Sequence, residues 1–359
     1  MYNMDHTKQS TGNPALLLLF FSGLFFLFFL SSSYRNPFVA VQKDSICTLS
    51  NTTTIYAPQD DLEEALSKAS MANKTVIIAI INKAYAAQDI IADTTMLDLF
   101  LESFWLGEDT RPLLDHLLLV AVDQTAYARC LFRRLNCYRL ETDGVDFGGE
   151  KIYMSDDFIK MMWRRTHFLL QVLNRGYNFI FTDTDVMWLR NPFARLSKNE
   201  SDDLQISTDL FLGDPRPEKQ LINTGFYYVQ SNNKTIKLLN TWYAMKDNAT
   251  GQKEQDVLLN LIRGGIIGEL NLTVRFLDTL YFSGFCQDSK DLRAVTTVHA
   301  NCCRSIDAKV KDLKAVLRDW KRFKKYSSYK RLENVTANLG WSGHFGCWNS
   351  WRVDNKPKG

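Results

Sequence analysis

Two aspartates separated by one residue follow a short apolar segment. The chain from position 176 to 193 has the sequence GYNFIFTDTDVMWLRNPF, which places Asp183 and Asp185 after a run typical of a buried strand. Ligands of open parallel sheets bind beyond the carboxyl ends of the strands. Carboxylates at this spacing can turn toward one point and offer the oxygen ligands that Mg²⁺ or Mn²⁺ takes. The pair predicts a divalent metal site that could neutralise a phosphate leaving group.

An Asp-x-Asp motif is weak by itself, because acidic pairs are common in turns. One alternative is a phosphatase of the haloacid-dehalogenase type, in which Asp183 would attack phosphorus and Asp185 would act as acid and base. Against it, two predicted strand-helix units precede the motif, and no convincing late Gly-Asp pair follows. A non-catalytic, lectin-like protein is the second alternative.

Three later motifs add polar groups suited to a sugar or a metal. They are Asn223-Thr224-Gly225-Phe226, Glu254-Gln255-Asp256 and His299-Ala300-Asn301. Gly225 permits a close approach of the backbone, and the Asn, Gln and Asp side chains can pair with sugar hydroxyls. Taken singly, the first motif also suits a hairpin turn, and Asp256 suits the first turn of a helix.

Together these motifs resemble the nucleotide-diphospho-sugar transferases with the glycosyltransferase-A fold, and most closely the plant enzymes of family 77. The resemblance covers roughly residues 113–320. It implies a hexosyl- or pentosyltransferase that uses UDP-galactose or a UDP-pentose and retains the anomeric configuration. The implied acceptor is a cell-wall polysaccharide or a hydroxyproline-rich glycoprotein.

The resemblance also implies roles for individual residues. The metal ligands would be Asp183, Asp185 and His299, and the imidazole nitrogen would favour Mn²⁺ over Mg²⁺. The turn formed by Asn223, Thr224 and Gly225 would bind the substrate sugar. The catalytic or acceptor-side candidates would be Gln255 and Asp256.

Other polar residues are weaker candidates. Asp209 could orient the acceptor or a base, and Arg164, next to Arg165 on a predicted helix, could reach a diphosphate, although a solvated helix face is an equal alternative. Related families place a phosphate-binding lysine shortly after the late histidine. Here Arg304 comes first and Lys309 later, so Lys309 is a candidate and the choice of cation is open.

The pattern of apolar segments predicts the elements that position these residues. Runs at 75–81, 116–122 and 177–181 suit strands buried on both faces, and helical spacing follows or precedes each of them. Further strands are expected at 204–211, 223–230 and 274–282. This alternation indicates an α/β fold, a Rossmann-type, mostly parallel mixed sheet with helices on both faces, which the resemblance makes glycosyltransferase-A-like.

The N-terminal region predicts a membrane anchor. Residues 15–30 are uncharged and apolar, so residues 15–34 are expected to form one transmembrane signal-anchor helix, with a cleaved signal peptide as the alternative. Residues 1–14 would then be a cytosolic tail, 35–58 a stem and 59–359 the lumenal catalytic domain. The expected location is the Golgi membrane, as a single-pass type II protein.

The glycosylation motifs and the cysteines are consistent with a lumenal location of the catalytic domain. Seven Asn-x-Ser/Thr sequons lie after residue 50, and seven cysteines would mostly pair in an oxidising compartment. The 43 Lys and Arg against 40 Asp and Glu give a net charge of +3, too little to draw the chain onto nucleic acid. The expected partners are a nucleotide-sugar donor, a polysaccharide or glycoprotein acceptor and, through one helix, a lipid bilayer.

Overall fold

The computed structural model describes residues 60–87, 94–199, 201–213, 219–327 and 339–352. The predicted tail, anchor and stem lie outside these residues and stay predictions. Within the described ranges, no helix combines the length and apolar character needed to cross a bilayer.

The described residues form ten strands. These are β1 (Thr75–Ile81), β2 (Leu117–Ala121), β3 (Asn136–Arg139), β4 (Asn178–Thr182), β5 (Val186–Trp188), β6 (Leu204–Leu210), β7 (Leu221–Val229), β8 (Val274–Phe276), β9 (Phe282–Gly284) and β10 (Thr297–His299). Seven of them make one sheet in the order β3-β2-β1-β4-β7-β6-β8. Only β7 runs antiparallel to its neighbours, which confirms a mixed, mostly parallel sheet.

Ten α-helices accompany these strands in the described part of the chain. They are α1 (Asp61–Ala69), α2 (Lys83–Ala86), α3 (Met96–Leu106), α4 (Gln124–Phe132), α5 (Asp156–Asn174), α6 (Asn233–Ala244), α7 (Glu254–Arg263), α8 (Ile266–Glu269), α9 (Ile306–Ser327) and α10 (Phe345–Ser350). Short 3-10 helices span Arg111–His116, Pro192–Ala194 and Met245–Asn248.

The sheet separates two apolar cores. Along β1, Ile77 and Ala79 belong to one core and Val76 and Ile78 to the other, because successive side chains of a strand point to opposite faces. Helices α3, α4 and α9 cover the first face, and α1, α5, α6 and α7 cover the second. The predicted placement of helices on both faces is therefore confirmed.

A second, three-stranded sheet was not predicted. Its order is β5-β10-β9, with β10 antiparallel to β5 and parallel to β9. The single strand predicted at 274–282 is wrong, because a turn at Asp278 divides it into β8 and β9. The Asp278 carboxylate accepts a hydrogen bond from the backbone N–H of Leu280 at 2.8 Å, and its carbonyl accepts one from Phe282 at 2.9 Å.

Three disulfides join six of the seven cysteines. Cys130–Cys137 links α4 to β3, whereas Cys286–Cys302 and Cys303–Cys347 connect the segments after β9 and β10 with α10. The seventh, Cys47, lies outside the described residues. The Cys303–Cys347 bridge fastens the C-terminal segment to the residues that follow β10, the strand that ends at His299.

Candidate active site

The acidic pair lies directly beyond the carboxyl end of β4. The backbone N–H of Asp183 donates to the carbonyl of Gly225 on β7 at 2.7 Å, and the N–H of Ala300 donates to the carbonyl of Asp185 at 3.0 Å. The pair is therefore held between β7 and the segment that follows β10. Neighbouring strands, rather than a free loop, determine where both carboxylates lie.

His299 meets this pair from the second sheet. Its Nε2 lies 3.2 Å from Oδ1 of Asp185 and 3.9 Å from Oδ2 of Asp183. The antiparallel pairing of β10 with β5 aligns His299 with Val186, the residue after Asp185, and so brings the imidazole to the carboxylates. The potential ligand atoms of the three residues all lie within 4.8 Å of one another.

A glycine makes room for this cluster. A Cβ atom at Gly225 would lie 2.3 Å from Cε1 of His299, 2.8 Å from Oδ2 of Asp183 and 2.9 Å from Oδ1 of Asn223. No side chain fits at those distances. Gly225 is therefore required by the packing of the site. It lies within β7, so the turn expected for residues 223–225 is wrong.

Lys309 supplies a positive charge to the same cluster. Its Nζ lies 2.7 Å from Oδ2 of Asp185, and the Asp185 side chain is only 4% exposed. Burial opposes ionisation of Asp185, but Lys309 and His299 outweigh it and hold the pKa of the carboxyl well below its usual range. Burial likewise opposes the charged form of His299, but the Asp185 carboxylate raises the pKa of the imidazole above its ordinary value.

A buried arginine anchors the other carboxylate. Arg165 on α5 contacts Oδ1 of Asp183 at 3.0 Å through Nη1 and Oε1 of Glu254 at 2.5 Å through Nη2. The hydroxyl of Thr224 donates to the same Glu254 oxygen at 2.9 Å. Burial raises the pKa of Asp183, and Arg165 offsets this only in part. Glu254 is 1% exposed, so this is a buried ion pair.

A second polar group surrounds Asp209 at the end of β6. Its Oδ1 accepts hydrogen bonds from the side-chain amides of Asn223 at 2.8 Å and of Asn301 at 2.7 Å. Asn223 in turn accepts one from the N–H of Gly225 at 2.8 Å, which links Asp209 to the glycine beside Asp183 and His299. Asp209 is thus fixed by two amides that the sequence places far apart.

Both groups open into one pocket with a cavity volume of about 270 Å³. Its walls include these predicted site residues: Asp183, Asp185, Asp209, Asn223, Thr224, Gly225, Gln255, His299 and Lys309. The profile of the nucleotide-diphospho-sugar transferases matches residues 112–313, which contain the pocket's acidic pair, glycine, histidine and lysine. The chain belongs to this family.

The relatives of this transferase include plant proteins. An uncharacterized protein of Arabidopsis thaliana is 55% identical over 351 residues and covers 97% of each chain. The β-arabinofuranosyltransferase RAY1 of the same plant is 25% identical over 242 residues, 62% of this chain and 41% of RAY1. The galactosyltransferase LgtC superposes with a TM-score of 0.39 and 14% identity, over 66% of this chain and 94% of LgtC. Assignment to plant family 77 stays a prediction.

The side chains of Asp183, Asp185 and His299 are compatible with a divalent metal. They combine two carboxylates with one imidazole nitrogen, and the ligand atoms are close enough to converge on one ion. The Asp-x-Asp motif alone also suits a phosphatase of the haloacid-dehalogenase type. The family match favours the sugar transferases instead.

Two adjacent arginines of α5 differ in their surroundings. Arg164 donates to the carbonyl of Glu141 at 3.0 Å and pairs with the exposed Asp143, and it does not line the pocket. Arg165 enters the transferase pocket instead. The apolar positions 168, 169, 172 and 173 share its side of the helix, so helical spacing could have separated the two arginines.

The Glu254-Gln255-Asp256 motif is divided in a similar way. Gln255 lines the pocket and its Oε1 accepts a hydrogen bond from the N–H of Thr224 at 3.1 Å, whereas Asp256 stays outside the pocket in the first turn of α7. Sequence reasoning gave no role to Glu254. Its Oε2 is buried without a hydrogen-bond partner among the described residues.

The end of β1 provides a further wall that sequence reasoning missed. Asn82 and Tyr85 follow this strand and line the pocket together with Val122. Burial raises the pKa of the Tyr85 phenol to about 12. Because β1 adjoins β4 in the sheet, this wall lies next to the acidic pair.

Proposed function

We propose that this protein is a metal-dependent glycosyltransferase that moves a sugar from a UDP-sugar, with retention, to a cell-wall polysaccharide or glycoprotein. The observation that carries the proposal is the convergence of Asp183, Asp185 and His299 in a pocket that also holds Lys309. Such a group suits the departure of a diphosphate, because positive charge must meet the charge that develops there.

Asp183, Asp185 and His299 would hold Mn²⁺, or Mg²⁺, and the bound ion would supply positive charge to the diphosphate of the donor. Lys309 would supply a second positive charge. Its side chain is 18% exposed, and a charge in such surroundings interacts more strongly than it would in water. Arg165 would keep Asp183 in position without touching the phosphates.

The donor sugar would contact the polar wall formed by Asn223, Gln255 and Glu254. A buried carboxylate oxygen without a partner is costly, and Oε2 of Glu254 is such an atom. A sugar hydroxyl that donates to this oxygen would remove the cost. Asp209 lines the same pocket, held by two amides, and stays the candidate for orienting the acceptor or the reacting sugar.

Two observations support the proposed Golgi lumen. Three disulfides need an oxidising compartment. The sequon asparagines in the described residues are all exposed, namely Asn73, Asn199, Asn233, Asn248 and Asn271. A type II orientation with the anchor at 15–34 would place all of them on the lumenal side.

A donor screen tests the proposal. The purified full-length protein would be incubated with UDP-galactose, UDP-xylose and both ring forms of UDP-arabinose, with and without Mn²⁺, and released UDP would be measured. The name of RAY1 makes arabinofuranose the first sugar to test. We expect Mn²⁺-dependent UDP release from one donor. Release of inorganic phosphate, or no product from any donor, would count against a transferase.

A further inference from the structure

The C-terminal segment 339–352 is fastened beside the mouth of the pocket. Cys347 is bonded to Cys303 and fully buried, and the Ser350 hydroxyl accepts a hydrogen bond from the N–H of Arg304 at 3.1 Å. The His344 ring stacks on Phe285 at 3.6 Å, and its Nε2 lies 2.7 Å from Oδ1 of Asp288. One side of the segment is therefore held firmly against the catalytic domain.

The other side exposes three large aromatic rings. Phe345 is 63% exposed, Trp348 51% and Trp351 42%. Their spacing of three residues places them on one side of α10 and its last turn. The rings of Phe345 and Trp348 touch, with centroids 5.2 Å apart at 81°. Contiguous exposed aromatic surface of this kind marks a binding site in soluble domains.

This aromatic strip is continuous with the candidate active site. Trp351 lines the same pocket as Asp183 and Asp185. Its ring lies 4.0 Å from the Arg304 guanidinium, and its indole N–H donates to the carbonyl of Cys302 at 2.7 Å. One end of this strip, Trp351, therefore lies at the pocket, and Trp348 and Phe345 precede it along α10 without lining the pocket.

We infer that Phe345, Trp348 and Trp351 form an acceptor platform, on which successive sugar rings of a polysaccharide stack while the end of the chain enters the pocket. The inference rests on the proposed transferase function and names its acceptor class. A sugar ring has one apolar C–H face and a hydroxyl edge. The face suits dispersion contact with an aromatic ring, and the hydroxyls suit the amides and carboxylates inside the pocket.

An oligosaccharide fits this surface better than a charged peptide, a bilayer or a second copy of the chain does. The three rings bear no charge, so they offer nothing specific to an acidic or basic peptide. A bilayer or a second copy of the chain seated on Trp351 would cover the pocket mouth, which a transferase must keep open for its acceptor. An extended oligosaccharide uses the strip and the opening together.

The test measures acceptor binding without turnover, so its outcome does not depend on the outcome of the donor screen. Isothermal titration calorimetry measures the binding of neutral hexasaccharides of β-galactan, α-arabinan and β-xylan to the full-length protein. We expect one of them to bind and Trp348→Ala to weaken it about tenfold, which corresponds to the loss of one aromatic contact. The matched control is Trp105→Ala, a 58% exposed tryptophan on α3 that packs on Arg111 away from the pocket; its affinity should equal that of the wild type.

Phe345→Ala gives a second, independent variant if Trp348→Ala fails to fold. The inference is overturned if no hexasaccharide binds, or if both variants bind as tightly as the wild type. It is also overturned if the variants instead lose self-association in sedimentation or binding to phosphatidylcholine vesicles, because the strip would then serve a second copy or a membrane.

Discussion

Gly225 and His299 lie so close together that a Cβ atom at position 225 would fall 2.3 Å from Cε1 of the imidazole. The same atom would fall 2.8 Å from Oδ2 of Asp183. Strand β7 of the large sheet thus makes direct contact with strand β10 of the small sheet at the cluster of potential metal ligands. The absence of one side chain allows two of the three potential ligands to converge.

Replacing this glycine should therefore damage the site more than the fold. Gly225→Ala must push His299 and Asp183 apart, so we expect Mn²⁺-dependent UDP release to fall by about tenfold or more. The control is Gly268→Ala, where the added methyl group meets no atom within 4 Å. Equal activity of the two variants would show that the close packing at position 225 is not needed for activity.

Arg165 should matter for stability, unlike its neighbour. Arg165→Gln leaves Glu254 buried without a countercharge, and breaking a buried pair in this way costs about 3–5 kcal/mol. Arg164→Gln removes a pair with an exposed aspartate and should cost about 1 kcal/mol or less. Urea unfolding of both variants measures the difference. Similar losses would contradict the buried ion pair.

His299 should tune the metal dependence of the reaction. His299→Ala removes the imidazole, so we expect the Mn²⁺ concentration for half-activation to rise about tenfold or more. Nδ1 of His116 lies 3.1 Å from the carbonyl oxygen of Ala69, and the ring of His167 stacks on Tyr243. Neither histidine lines the pocket, so alanine at either position should leave that concentration unchanged. An unaltered half-activation point in His299→Ala would remove this residue from the metal shell.

The affinity for Mn²⁺ should decrease as the pH is lowered, because His299 then becomes protonated. The Asp185 carboxylate raises the pKa of this imidazole against the opposing effect of burial, so the metal-free ring stays protonated above the ordinary value of about 6.5. A metal binds only the neutral ring. Binding should therefore weaken as pH falls through that raised pKa, while Asp185, whose pKa is lowered, stays ionised. Mn²⁺ titrations between about pH 5.5 and about 8 would test this, and an affinity independent of pH would contradict it.

The long elements of the fold could be predicted from the sequence. Continuous apolar runs identified β1, β2 and β4, and helical spacing identified α5, which precedes β4. Strands of three or four residues, such as β3, β5 and β10, carry no periodicity of their own. They form because partner strands that are distant in sequence provide their hydrogen bonds, and this information is not local.

In the site, too, local sequence signals were predictive and contacts between distant residues were not. Residue type and position beyond a strand were enough to single out Asp183 and Asp185, and the family resemblance added His299, which the structure places beside them. The ion pair of Arg165 with Glu254 joins positions 89 residues apart, so no spacing rule reveals it. Arg164 and Asp256 were favoured for their chemistry, but the geometry of their helices turns them away from the pocket.

The most direct test of the central claim compares UDP release by the wild type and by Asp185→Asn, with Mn²⁺ present and with the donor that the screen selects. Asparagine keeps the size of the side chain and removes the charge that pairs with Lys309 and faces His299. Circular dichroism would first confirm that the variant is folded at the assay temperature. We predict that the folded variant loses UDP release by about a hundredfold or more. A folded Asp185→Asn protein that releases UDP at the wild-type rate would contradict the assignment of this pocket as a metal-dependent transferase site.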